Sequence, residues 1–229
     1  MKRLLTAALC ILVMASCKKS TTTTPTNPYF PVTIGNYWKY TKIDSSTVSP
    51  SVTNYTSTVL SADSIINVYN SDSSIITPTH YRVLSDSVKQ HVYLYRSNAD
   101  SSYRRGIFAN LNGIPDVEEK YFVKNIPVGG SWNDTSFTTV YNQKVPIVFK
   151  HTIASLDTSL TVAGKPYTKV VHVALDLISI SPFLSGRVGG GDFYYAQGIG
   201  QIQYTFIVSI PLAGININQS EQLKDYHIN

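Results

Sequence analysis

The sequence predicts an all-β domain, a large curved antiparallel sheet in the form of an open half-barrel or barrel-like sandwich, placed after an N-terminal leader and a flexible tether. Three observations predict it. From Tyr29 onward the chain is rich in Val, Ile, Thr, Tyr and Ser, residues that suit a pleated, half-buried surface. Apolar and polar residues alternate, and no segment carries the apolar period of a helix of three turns. Turn signals such as Asn112-Gly113, Gly129-Gly130 and Ala163-Gly164-Lys165-Pro166 separate the runs.

The alternation is clearest from Thr168 to Ile180. There Val171, Val173, Leu175 and Leu177 share one face, while Val170, His172, Ala174, Asp176 and Ile178 share the other, the signature of a strand with one fully apolar face. Taken in order, similar short runs occur at Tyr37 to Ser45, Tyr55 to Leu60, Ile65 to Tyr69, His80 to Leu84, His91 to Arg96, Tyr103 to Phe108 and Val117 to Val123. They continue at Val145 to Ala154, Phe193 to Ala196, Gln201 to Ser209 and Gln222 to Ile228. So many antiparallel strands imply one large curved sheet. Both tryptophans, Trp38 and Trp132, follow a glycine by three residues (Gly35 and Gly129) where a strand should begin. They read as large aromatic anchors of the core after a tight turn, or as a pair of ligand-stacking rings. The stretch Gly186 to Gly191 could let the backbone approach a ligand closely, but reads rather as a flexible connection ahead of the Phe193 strand.

Residues 1–16 form a leader. Met1-Lys2-Arg3 is basic and Leu4 to Ala15 is apolar, of signal-peptide length and too short to span a bilayer. The leader ends in Met14-Ala15-Ser16-Cys17, which resembles the lipobox of Gram-negative lipoproteins. That resemblance implies a Cys17 that is diacylated on sulfur, becomes the new N-terminus and is acylated again, with palmitate among its chains. Met14 departs from the usual Leu at its position, and the alternative is an ordinary secretory signal cleaved after Ala15 or Ser16. Cys10 is a poorer candidate because Leu9 before it is bulky. Each buried methylene contributes about 0.8 kcal/mol, so a three-chain anchor is effectively permanent. Removal of the leader takes Cys10 with it, leaving no pair of thiols for a disulfide.

Residues 17–28 carry the acylated cysteine and a Ser/Thr/Pro-rich tether, Lys18 to Pro28, which cannot bury apolar surface and behaves as a flexible coil with a reach of roughly 18 Å. Residues 29–229 then form a single β domain. The sequence after Cys17 matches neither an inner-membrane retention aspartate nor an acidic export cluster, so the expected place is the outer membrane, facing the periplasm. Lys2 and Arg3 leave with the leader, which lowers the net charge from +5 to +3. This weak, scattered charge offers no stripe for nucleic acid.

Four segments together carry a further resemblance: Tyr29 to Tyr40, Thr161 to Val173, Tyr194 to Tyr204 with its Tyr-Ala and Gly-x-Gly turn, and Gln222 to Tyr226. The layout is similar to uncharacterised Gram-negative envelope lipoproteins of Bacteroidota type. Those in turn resemble the open half-barrel of lipoprotein carriers of the LolA and LolB type, whose curved sheet cradles acyl chains. The resemblance implies a fold and supplies no catalytic residues.

Motifs for chemistry are sparse. The sequence contains no Gly-x-Ser-x-Gly, no His-Glu-x-x-His and no phosphate loop. His172 and Asp176 share a strand face yet lie roughly 13 Å apart at strand rise, so they cannot pair directly. Glu118 and Glu119 are adjacent and should point to opposite faces. The five histidines (His80, His91, His151, His172 and His227) are dispersed, and Asn110 to Glu118 suits a hairpin turn better than a calcium loop. The expectation is therefore no catalytic residue, no cofactor and no metal. Two functional readings remain: a membrane-anchored lipoprotein whose sheet binds a lipid-like or apolar ligand, and a structural or protein-interaction module of the envelope with a filled core.

Overall fold

The structure, a computed structural model, describes residues 28–29, 31, 35–48, 55–70, 79–85, 91–97, 102–108, 117–140, 143–182 and 184–229. The leader, Cys17, the tether before Pro28 and the stretch from Asn110 to Asp116 lie outside them. Twelve strands follow one another: β1 (Tyr37–Val48), β2 (Tyr55–Asn70), β3 (Thr79–Ser85), β4 (His91–Ser97), β5 (Ser102–Phe108), β6 (Val117–Val123), β7 (Ser131–Val140), β8 (Gln143–Val162), β9 (Lys165–Ser181), β10 (Leu184–Ala196), β11 (Gly200–Ile210) and β12 (Ile215–His227). The all-β expectation holds. All described strand pairs are antiparallel.

The spatial order is β6-β5-β4-β3-β2-β1-β12-β11-β10-β9-β8-β7. Each strand lies beside its neighbour in sequence, and the first strand pairs with the last, so the order is a ring with one break between β6 and β7. That break is not a ladder. Instead β7 reaches over it with side chains: the indole Nε1 of Trp132 donates to the Lys120 carbonyl at 2.6 Å, and the Lys120 amide donates to a carboxylate oxygen of Asp134. The sheet is thus open and curved, with its two edges clasped rather than zipped. Because both backbone groups of Lys120 are engaged by side chains, the edge is blunted there against pairing with another strand.

Burial follows the alternation read from sequence from Val171 onward, but Val170, read as belonging to the other face, is fully buried, next to Lys169 at φ 52 where the pairing with β8 is irregular. In β9, Val171, Val173, Leu175 and Leu177 are buried while His172, Ala174, Asp176 and Ile178 are only half-buried. Trp38 is fully buried and Trp132 is 9 % exposed, so both are core anchors and not exposed stacking platforms. Each indole N–H finds a carbonyl, Trp38 donating to Ile199 at 2.7 Å, which removes the penalty of a buried donor. Tyr40 does the same toward Gln201 at 3.0 Å, and Trp132 stacks on His151 with ring centroids 5.1 Å apart.

The boundaries differ from the sequence reading most clearly in four places, besides β8, which runs on past Ala154 to Val162. Tyr55 to Leu60 and Ile65 to Tyr69 are one strand, because Ser61–Ser64 stay extended against Tyr40–Tyr37 of β1. The polar segment after Trp132 is strand β7 throughout, held by its ladder to β8. The closing strand starts at Ile215 and not at Gln222, following a 3-10 turn at Pro211–Ala213 that Gly214 ends at φ 62. Gly186 to Gly191 is no flexible connection: it lies inside β10. A Cβ on Gly191 would run into the Thr205 carbonyl, and one on Gly189 into that of Ile207, so glycine is what lets β10 and β11 approach this closely as the sheet coils.

At the end of the sheet where β1 begins, β8 and β9 extend as a two-stranded arm whose turn, Ala163-Gly164, has φ 50 and 79, the left-handed pair that a two-residue hairpin requires. Tyr167 on this arm is 5 % exposed, and its hydroxyl has no hydrogen-bond partner among the described residues. An unpaired buried hydroxyl costs folding free energy, so Tyr167→Phe is expected to stabilise the protein by about 1 kcal/mol, read as a raised denaturant midpoint. Burial, with smaller contributions from Tyr226 and Asp225, raises the Tyr167 pKa above its ordinary 10.0. A raised acid holds its proton in the folded state, so its contribution is present below pH 10 and lost as pH rises through the folded value. The variant should accordingly show a shallower alkaline fall in stability.

Candidate functional site

The concave face of β9–β12 is built from registered rows. Val173, Phe193, Tyr204 and Glu221 stand side by side, then Lys42 of β1; the next row is Leu175, Gly191, Phe206 and Gln219; the third is Leu177, Gly189, Val208 and Ile217. Leu175 and Leu177 are buried on this face, which fixes the orientation of their partners. Gly189 and Gly191 carry no side chain, so β10 contributes bare backbone between leucines on one side and Phe206 and Val208 on the other. The result is a glycine-floored strip. Phe193 and Tyr204, stacked with centroids 5.6 Å apart, close one end, and Phe206, Ile217 and Tyr204 are only half-buried.

One flank of the strip is polar. Gln219, Glu221 and Lys42 occupy the concave face of β12 and β1, all half-buried. An apolar floor beside a charged border suits an amphiphile, with its chain on Phe206 and Ile217 and its polar head toward Lys42 and Glu221.

The opposite face of the same strands holds a second polar group. His172 Nε2 lies 2.7 Å from Asp192 Oδ1, and its ring stacks on Tyr194 at 4.4 Å between centroids. Asp176 does not meet His172, as the strand spacing required; it accepts a 2.7 Å hydrogen bond from Arg187 Nε. Burial and then the Asp192 charge raise the Tyr194 pKa. These contacts tie β9 to β10 on the outer surface, remote from the strip. Among the described residues no group of three or more His, Cys, Asp or Glu side chains could hold a metal ion. His80 and His91 belong to strands whose side chains are not described, and Cys17 lies outside the described residues.

Sequence reasoning missed the strip because its defining feature is an absence of side chains. The signal was the triple glycine, which has the composition of a loop and the position of a strand centre. The Tyr194 to Tyr204 segment has a structural explanation: Tyr195 and Ala196 are buried, and Gly198 and Gly200 take φ of 76 and 108 in the turn between β10 and β11.

No protein-family model and no curated protein matches the sequence. Solved structures do match. One is a protein of Parabacteroides distasonis described as a lipoprotein, with a TM-score of 0.50 and 10 % identity over 89 % of this chain and 100 % of that one. The likeness is one of fold. Two others are more distant: a Bacteroides fragilis protein described as exported and YmcC-like in fold, TM-score 0.42 and 10 % identity over 87 % and 98 % of the two chains, and the hypothetical lipoprotein YmcC of Escherichia coli, TM-score 0.39 and 10 % identity over 82 % and 85 %. The fold of this chain is therefore one also found in a bacterial protein described as a lipoprotein. No ligand or partner is named for any of the three.

Proposed function

We propose that this protein is a lipoprotein anchored in the outer membrane by an acylated Cys17, facing the periplasm, and that its curved sheet binds a lipid-like apolar ligand as the LolA and LolB carriers do. The observation that carries the binding role is the apolar strip beside Gly189 and Gly191, where Phe206, Ile217 and Tyr204 stay only half-buried on the concave face. Its role is to hold a ligand rather than to transform one.

A second reading has its own observation. Toward the end where β1 begins, Trp38, Val170, Val171, Val173, Ile202 and Leu223 are all fully buried, as in a filled structural core. On that reading the domain is a protein-interaction module without a small ligand. Native mass spectrometry of the mature chain carrying Cys17→Ser, purified from a bacterial envelope, separates the two. Lipid-sized adducts that mild delipidation removes are expected, together with uptake of an apolar dye that Ile217→Glu abolishes. Bare protein that takes up neither dye nor fatty acid would leave the interaction module as the better reading.

A further inference from the structure

The tether leaves the domain at a defined place. Pro28 accepts a 2.6 Å hydrogen bond from the Gly198 amide in the β10–β11 turn, and Tyr29 beside it packs on Phe122 at 5.0 Å between ring centroids. The chain then runs to β1, where Asn36 donates to the Pro31 carbonyl at 2.9 Å and accepts from the Asn229 amide at 2.8 Å. The first eleven residues after Cys17 are thus all that separates the anchor from a fixed point on the end of the sheet, a reach of roughly 18 Å.

Lysines surround that exit point. The Lys169 carbonyl accepts from the Gln197 amide at 3.2 Å, one residue before the glycine that holds Pro28. Lys124 follows Phe122, the ring under Tyr29, by two positions. Lys165 Nζ donates to the Lys224 carbonyl at 2.8 Å, bringing the tip of the arm onto the end of β12, and Lys39 Nζ lies 5.1 Å from the centroid of Tyr37 at the start of β1. Lys165, Lys169 and Lys224 are exposed. The described acidic side chains on the same end are Asp157 and Asp225, so the lysines predominate. Val128, 58 % exposed, stands in the same β6–β7 turn as Lys124. At the other end, the β11–β12 turn presents Pro211 and Leu212 without charge.

The geometry points to this basic end as a docking surface for an anionic lipid bilayer, seated against phosphate headgroups beside the acyl anchor. The net charge of +3 is too small to direct the whole protein to a membrane, but among the described residues the lysines are unevenly placed, and Pro28 is held where they gather. A lysine near an anionic surface contributes roughly fivefold in partition, so the cluster fixes which end of the domain faces the membrane and leaves the opposite end to the periplasm.

The test uses the unlipidated mature chain, residues 17–229 with Cys17→Ser, so that it does not depend on acylation or on ligand binding. Flotation with vesicles of phosphatidylethanolamine and phosphatidylglycerol is compared with vesicles of phosphatidylcholine. Binding to the anionic vesicles alone is expected, falling as salt rises. The pair Lys169→Gln and Lys224→Gln should weaken it by roughly twentyfold to thirtyfold, whereas Lys150→Gln with Arg187→Gln, which removes the same charge from the middle of the outer face, should leave it within about twofold. Equal losses from the two pairs would overturn the surface, since net charge alone would then explain binding. Equal binding to both vesicle types, or a salt-independent interaction in the parent chain, would overturn it without any variant.

Discussion

Gly191→Ala is expected to destabilise the protein by about 3 kcal/mol. The added Cβ meets the Thr205 carbonyl, which is backbone and cannot rotate away. Either β10 and β11 move apart, breaking the ladder from Gly189↔Val208 to Phe193↔Tyr204, or the strip closes. A chemical denaturation series checks this, and Gly189→Ala should behave alike because its Cβ meets the Ile207 carbonyl. Unchanged midpoints would mean that β10 tolerates side chains there and that the bare floor is incidental.

The second large effect concerns Cys17. Replacing it by serine is expected to leave an unlipidated protein that a high-salt wash releases from the membrane fraction, because the proposed three-chain anchor would hold where one chain is marginal. Metabolic labelling with a fatty-acid probe should mark the parent and not the variant. Equal labelling of the two would remove the anchor from the argument.

How much of this was legible depends on what kind of signal each feature leaves. The faces of β9 were readable because burial on one side imposes a period of two on Val171, Val173, Leu175 and Leu177. The tryptophans were readable as core anchors because a glycine turn precedes each. By contrast β7 after Trp132 is mostly Asn, Asp, Thr and Ser, and such a strand exists through its pairing with β8 rather than through its own apolar pattern. The arm of β8 and β9 was half seen: its turn is explicit at Ala163-Gly164, but exposed Leu156 and Thr158 blur the alternation leading to it. The triple glycine was misread because composition cannot tell a chain that needs freedom from one that needs proximity. The meeting of Tyr204, Glu221 and Lys42 in one row could not be read at all, since register between distant strands has no local trace.

That β1 lies beside β12 bears on the order in which the molecule can form. The chain emerges N-terminus first, so β1 to β6 can assemble as a meander while one side of β1 stays without its partner until the last residues arrive. Contacts between the two ends of a chain are the slowest to form, and a waiting strand edge is where one chain can pair with another. Attachment through Cys17 would hold many such half-finished sheets together at one surface during that interval. A chain shortened at its C-terminus therefore loses the middle of its sheet and not its rim, and gains two open edges, on β1 and β11, besides the clasped pair of β6 and β7.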